Sequence, residues 1–132
     1  MNRISAKVTA IESVDSVSIV AFEAAGQPMR MMSLELDGML EAGDSVTLGV
    51  KASSIALAKV MEGEFSISNR LECAVESVTE GQLLCSVKLR FAGALLESVI
   101  TRESAERLHI RVGDTVTALI KASDVSILET VR

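Results

Sequence analysis

The chain has 132 residues, of which 48% are hydrophobic and 2% aromatic, and its formal net charge at pH 7 is −5. This charge disfavours bulk attraction to nucleic acid or to an anionic membrane, and the scarcity of aromatic rings disfavours stacking platforms for bases or sugars. No apolar run is long enough to span a bilayer, and the first five residues lack the apolar core of a signal peptide, so we expect a cytoplasmic protein. Cys73 and Cys85 show no metal-ligand spacing and lie among alternating apolar residues, so we expect reduced cysteines in a core.

An internal repeat is the most informative feature of the sequence. Segment 43–53 matches segment 113–123 at seven of 11 positions with an offset of 70, ending in Lys-Ala-Ser in both cases. Near the start of each half, Asn2-Arg3 matches Asn69-Arg70 with an offset of 67, so the second copy carries extra residues in its middle. We therefore predict two domains, copy one at 1–58 and copy two at 68–128, joined by a short linker at 59–66.

Each copy predicts short strands separated by turns. The predicted turns contain Gly or Pro. The predicted strands alternate polar and apolar residues or are rich in β-branched residues. The turns fall at 25–28, 80–82, 92–94 and 112–114, and the clearest strands at 86–91, 116–121 and 125–128.

A helical turn is expected in copy two, where Thr101 precedes 102–108 as a capping residue with Ser104 in the first turn. In copy one the segment 33–36 predicts a weaker turn. Five strands and one helical turn per copy predict an all-β protein of two tandem five-stranded OB-like barrels. One continuous β-sandwich is the alternative architecture.

The sequence gives no support for an enzyme. Its single histidine, His109, has no nucleophile motif beside it, and we expect it to be a packing or surface residue. Phosphate loops, zinc spacings and nucleophile elbows are absent from the sequence. We therefore expect no catalytic residues, no direct ligands of a metal cation and no organic cofactor.

Hydrogen-bond donors are concentrated in copy two. Ser68 and Arg70 open a strand, Thr101 and Ser104 stand at a helix start, and Lys121 to Ser123 close a late strand. A fully ionised tetrahedral oxyanion needs only donors, because it has no proton to give. The alternative interpretation is that the hydroxyls cap helices and the cations lie on the surface.

Three motifs of copy two, in order, resemble the molbindin family, whose modules are also called Mop or TOBE. The family's opening Ser-Ala-Arg-Asn resembles Ser68-Asn69-Arg70-Leu71, with Leu71 in place of the usual Asn. Its middle Val-Thr-x-Glu-Ser resembles the segment 99–104, and its late Val-Ile-Lys-Ala-Ser resembles the segment 119–123. The tandem arrangement covers the whole chain, as in two-module members.

The resemblance implies an OB-like barrel per module and oxyanion sites at contacts between modules and subunits. Storage proteins with two modules form trimers, and related regulators form dimers. Copy one departs from the pattern. We align Met1 with Ser68, Met31 with Thr101 and Leu34 with Ser104, so copy one lacks a hydroxyl at each of these three positions. We therefore expect a degenerate site in copy one, which either is scaffold or completes a site in a neighbouring subunit. The implied binding residues are Ser68, Arg70, Thr101, Ser104, Lys121, Ala122 and Ser123, with Arg3, Lys51 and Ser53 retained in copy one.

The function implied by this resemblance is binding of molybdate or tungstate for intracellular storage and homeostasis, by a homotrimer without nucleic acid or membrane partners. An oxyanion-sensing module that acts on a transporter or a transcription regulator is the alternative. An OB-like binder of nucleic acid or sugar is disfavoured by the charge and the few aromatic residues.

Overall fold

The computed structural model describes residues 1–36 and 38–131, and within them ten strands form two five-stranded antiparallel sheets. This confirms the predicted all-β class. Copy one contains β1 (Asn2–Val14), β2 (Val17–Ala24), β3 (Gln27–Ser33), β4 (Ser45–Val50), a 3₁₀ turn (Ala52–Ser54) and β5 (Ala56–Ala58). Copy two contains β6 (Asn69–Glu80), β7 (Leu84–Phe91), β8 (Ala94–Thr101), α1 (Arg102–Arg107), β9 (Thr115–Ile120), a second 3₁₀ turn (Ala122–Asp124) and β10 (Ser126–Val131).

The first strand of each copy alternates buried and exposed residues, as a strand with one face on a core must. In β6 the buried apolar residues are Leu71, Cys73 and Val75, so the cysteine lies in the core as predicted. The register of β6 with β7 shifts between Val75 and Ser77, and β1 shifts against β2 at the equivalent place. Such a bulge bends a long strand and increases its twist, which lets each sheet curl around its own core.

The final strand of each copy pairs in the sheet of the other copy. The strand orders are β10-β4-β1-β2-β3 and β5-β9-β6-β7-β8. Ser126 of β10 lies opposite Gly49 of β4, and Ala56 of β5 lies opposite Leu119 of β9. The sheets therefore cross the boundaries inferred from the repeat, and the division into domains at 1–58 and 68–128 stays a prediction.

The extra residues of copy two lie between β8 and β9. In the two hairpins Ala24 pairs with Gln27 and Phe91 with Ala94, so the offset of 67 continues through the third strand of each copy. Leu34 therefore matches Thr101, which corrects two assignments, that of Met31 to the position of Thr101 and that of Leu34 to the position of Ser104. A repeat offset shows that residues were inserted but does not show where, whereas strand register does.

The helix predicted after Thr101 is confirmed as α1, which covers Arg102–Arg107. In copy one the residues 34–35 form a bend instead of a helix. The short helical turn of copy one is the 3₁₀ turn at Ala52–Ser54, which packs against β8 of copy two, and the second 3₁₀ turn packs against β3 of copy one.

Candidate functional site

Thr101 and Ser104 lie together at the start of α1. The Thr101 Oγ1 accepts a hydrogen bond from the Ser104 amide at 3.1 Å and donates one to the Ser104 Oγ at 2.9 Å. Arg107 holds the neighbouring Glu103 carboxylate through two bonds of 2.7 and 2.9 Å. The Thr101 hydroxyl therefore caps the helix and contacts the Ser104 hydroxyl, and Glu103 is turned toward a cation on its own helix.

Ser68, Arg70 and Lys121 lie at one end of the β6–β9 pair. Asn69 is opposite Ile120, so Ser68 and Lys121 occupy the next step of the same register. All three side chains are exposed. Arg70 borders a shallow cleft of about 350 Å³ that also contains Glu72, whose carboxylate is an acceptor and not a donor.

Lys51 of copy one and Ser123 of copy two face one cleft of about 230 Å³, here called the Lys51 cleft. The pairing of β10 with β4 brings them together, because the segment that carries Ser123 leads directly into β10. The cleft is lined by Met1, Lys51, Ser54, Ser123, Asp124 and Ser126, among others. It therefore combines hydroxyls and an ammonium with one carboxylate.

The remaining predicted residues lie close to these groups. Arg3 is exposed on β1 opposite Gly49, and Ala122 is half-buried in the second 3₁₀ turn. Ser53 is exposed in the first 3₁₀ turn, which leads into β5 beside β9, the strand that ends before Lys121. The predicted donors thus form three neighbourhoods, around Thr101, Arg70 and Lys51, that lie on separate clefts of one chain.

A further groove of about 380 Å³ lies between β3 and β10, the two edge strands of the copy-one sheet, and it shares Val125 and Ser126 with the Lys51 cleft. Its lining includes Met31, Leu36, Leu40 and Leu128. The sequence analysis missed this groove, although the shorter segment between β3 and β4 was a signal that copy one lacks the counterpart of α1. Its polar lining includes Glu35 and Glu129, whose carboxylates disfavour a small anion there.

Two carboxylates near the modules' contacts stay ionised more readily than usual. A hydrogen bond from Ser86 and the nearby charge of Lys88 lower the pKa of Glu97, which lies on β8. The Arg111 amide and then Lys59 lower the pKa of Asp114.

Among residues 1–36 and 38–131 no group of three or more histidine, cysteine or acidic side chains could hold a metal ion. Within the same described part of the chain, no helix is long and apolar enough to cross a membrane.

The family model for the TOBE domain matches residues 66–127. The chain is 34% identical over 90 residues to the molybdenum import ATP-binding protein ModC of Brucella abortus (strain 2308), covering 67% of this chain and 25% of ModC. It is 29% identical over 111 residues to the molybdate/tungstate import ATP-binding protein WtpC of Pyrococcus horikoshii, covering 83% of this chain and 32% of WtpC. The chain thus spans about a quarter to a third of the length of these curated relatives.

Two solved structures of binding proteins resemble this fold. The cytoplasmic molybdate-binding protein ModG, in a crystal form with molybdate bound, superposes with a TM-score of 0.89 at 26% identity and covers 96% of this chain and 94% of ModG. A molybdate-binding protein from Sporomusa ovata matches with a TM-score of 0.50 at 31% identity, covering 51% of this chain and 100% of its own. The ModG match confirms the tandem OB-like architecture. Since the chain covers the whole of the Sporomusa protein at this identity and carries the TOBE pattern, it belongs to the molbindin family.

Proposed function

We propose that this chain binds molybdate or tungstate in the cytoplasm, for storage and homeostasis, and that it catalyses no reaction. The observation that carries the proposal is the correspondence with ModG, which extends over nearly all of both chains and was seen with molybdate bound. A match of this extent covers both modules, and not a single barrel alone.

The chemistry of the predicted donors supports the same ligand. Ser68, Arg70 and Lys121 supply a hydroxyl, a guanidinium and an ammonium at one end of a strand pair, and a dianion accepts hydrogen bonds from all three types. In the Lys51 cleft, Lys51 and Ser123 offer the same kind of donors from two different copies. Asp124 in that cleft would repel a dianion, so we propose that further donors come from a neighbouring subunit.

We therefore propose a homotrimer in which oxyanion sites are completed between subunits. Each chain has a mass of 14.0 kDa, and multi-angle light scattering of the purified protein is expected to give three times this mass. A monomer at micromolar concentration would contradict the shared sites, because each group of donors on one chain would then have to suffice alone.

Selectivity against phosphate is expected to come from its proton. At neutral pH much of the phosphate population carries an O–H. We propose that the bound anion meets donors alone and that the Glu72 and Asp124 carboxylates of the two clefts face away from it. An O–H without an acceptor then costs on the order of 1–3 kcal/mol. Glu103 is the acid closest in sequence to the Thr101 and Ser104 donors, and Arg107 already engages its carboxylate. Sulfate carries no proton and differs mainly in size, so it should be rejected less strongly.

The test is isothermal titration calorimetry at pH 7 with molybdate, tungstate, sulfate and phosphate. We expect molybdate or tungstate to bind most tightly, sulfate next and phosphate weakest. If phosphate displaces bound molybdate as effectively as sulfate does, this would contradict a site made only of donors. No heat with either molybdate or tungstate, from protein shown to be folded by circular dichroism, would overturn the proposed function.

The similarity to ModC and WtpC favours a second candidate, an oxyanion-sensing module that acts on a transporter. Those relatives are import ATP-binding proteins, and this chain matches about a quarter to a third of their length. Here molybdate would change the association of the chain with an import ATPase. Co-purification that depends on molybdate would support this candidate, and identical elution of the two proteins with and without molybdate would contradict it.

A further inference from the structure

Asn69 makes a two-bond contact between the modules. Its side chain is fully buried, its Oδ1 accepts a hydrogen bond from the Arg30 amide at 2.7 Å, and its Nδ2 donates one to the Arg30 carbonyl at 2.9 Å. Arg30 lies on β3, which is an edge strand of the copy-one sheet. An edge strand leaves backbone donors and acceptors unpaired, and a carboxamide offers one of each in the arrangement of a peptide group.

Asn2 makes the same contact in the opposite direction. Its Nδ2 donates to the Glu97 carbonyl at 2.8 Å and its Oδ1 accepts from the Glu97 amide at 2.7 Å. Glu97 lies on β8, an edge strand of the copy-two sheet. The first strand of each copy is therefore fixed to the third strand of the other copy by one asparagine.

The neighbours of the two asparagines differ. Asn69 stands between Ser68 and Arg70, two of the proposed oxyanion donors, whereas Asn2 stands between Met1 and Arg3, where the hydroxyl is missing.

We propose that Asn69 is a positioning residue for the oxyanion site and that copy one serves as its anchor. This rests on the proposed function. Holding the Asn69 side chain against the backbone of Arg30 fixes the strand on both sides of it, and so fixes the directions in which the Ser68 hydroxyl and the Arg70 guanidinium leave the backbone. A preorganised donor loses less conformational freedom when the anion binds.

The experiment compares Asn69→Ala with Asn2→Ala in the full chain. The pseudo-symmetry makes Asn2→Ala a matched control, because it removes the same two bonds from the equivalent contact. Urea denaturation should show similar losses of stability. Calorimetry with molybdate is then carried out without urea, where both variants are folded. The dissociation constant should rise roughly tenfold in Asn69→Ala, which is the smaller of the losses usual when a residue that orients a ligand-binding group is removed. In Asn2→Ala it should rise less than about twofold.

Asn69→Asp separates the two bonds of the contact. At pH 7 an ordinary aspartate is ionised, so its carboxylate can accept from the Arg30 amide but cannot donate to the Arg30 carbonyl. The molybdate affinity of Asn69→Asp should therefore fall at least as far as that of Asn69→Ala. Wild-type affinity in Asn69→Asp, or equal affinity losses for Asn69→Ala and Asn2→Ala, would overturn the proposal.

Amide hydrogen exchange separates this proposal from the proposed function. In Asn69→Ala the amides of residues 68–71 should exchange faster than in wild type, and in Asn2→Ala those residues should keep their protection. Unchanged exchange at 68–71 in Asn69→Ala would overturn the positioning role. Wild-type protein that binds neither molybdate nor tungstate would overturn the proposed function, while the exchange data still decide whether Asn69 holds this segment.

Discussion

Arg70 and Arg3 occupy equivalent positions on the first strands of the two copies, yet their surroundings differ. Arg70 follows the segment that contains Ser68 and lies on the strand next to the one that ends before Lys121. Arg3 has Met1 in the place of that serine, and the strand beside it carries Gly49 opposite the arginine. At the scale of single residues, copy two therefore retains more of the donors that a dianion requires.

We expect Arg70→Ala or Lys121→Ala to weaken molybdate binding far more than Arg3→Ala. Losing a charged donor to a dianion costs roughly 1.5–3 kcal/mol, which is about tenfold or more in affinity. The dissociation constants come from calorimetry on the three variants under one set of conditions. Equal losses from Arg3→Ala and Arg70→Ala would show that the hydroxyl missing from copy one does not matter.

Cys73 makes stability depend on alkaline pH. Burial raises the pKa of its thiol from the ordinary 9.0 to about 11. Between those values the unfolded chain loses a proton that the folded chain keeps, so the free energy of unfolding should fall as the pH rises from about 9 to about 11. Below pH 9 the thiol is protonated in both states and has no such effect.

Urea denaturation of wild type and Cys73→Val at pH 8 and pH 10 tests this expectation. Valine keeps an apolar side chain in the core and has no proton to lose. The variant should lose less stability than wild type between the two pH values, whatever other groups titrate in both. The same loss in both proteins would mean that the Cys73 thiol is not the group responsible.

At the scale of elements, the exchanged strands have complementary side-chain sizes. A Cβ on Gly49 would lie 2.7 Å from the Leu128 Cγ of β10 and 2.8 Å from the Met1 sulfur. In the other sheet Leu119, which stands at the repeat position of Gly49, lies opposite Ala56 on β5. A large residue therefore faces a small one in each sheet, and Gly49 is required by close packing and not by its φ angle.

Gly49→Ala should destabilise the protein by about 1–3 kcal/mol, the usual cost of overpacking. Leu128→Ala removes the side chain that the new methyl group would meet, so Gly49→Ala should cost much less in that background. Urea midpoints of wild type, both single variants and the double variant give the interaction energy. The same cost of Gly49→Ala in both backgrounds would contradict the close contact with Leu128.

What could be read from the sequence depended on whether the determining interactions were local. The strand containing 86–91 and the Thr101 cap were predictable, because alternation and capping act over a few neighbouring residues. The pairing of β10 with β4 was not, since it joins distant parts of the chain and no local pattern distinguishes it. For the same reason Lys51 and Ser123 could be predicted as binding residues from their motifs, but the sequence could not show that they share a cleft.

At the scale of the whole molecule, each copy depends on the other for its fifth strand. A unit of about 60 residues buries only a marginal core by itself, and here each sheet would lose an edge strand and the carboxamide contact of Asn2 or Asn69 with the other copy. The two repeat units are therefore expected to fold as one cooperative structure, although the repeat divides the chain cleanly in sequence.

The fragments 1–66 and 67–132 test this dependence. Each alone should show a lower thermal midpoint than the intact chain, and mixing should restore the fold by association of one fragment of each kind. A pair made of two copies of 67–132 would join β10 to β9, where Leu119 stands at the repeat position of Gly49, so Leu128 would lose the space that Gly49 leaves for it and this pair should be the weaker one. Native mass spectrometry of the mixture should therefore favour the mixed pair over either pair of identical fragments. Identical pairs as stable to heating as the intact chain would show that each copy completes its sheet without the other.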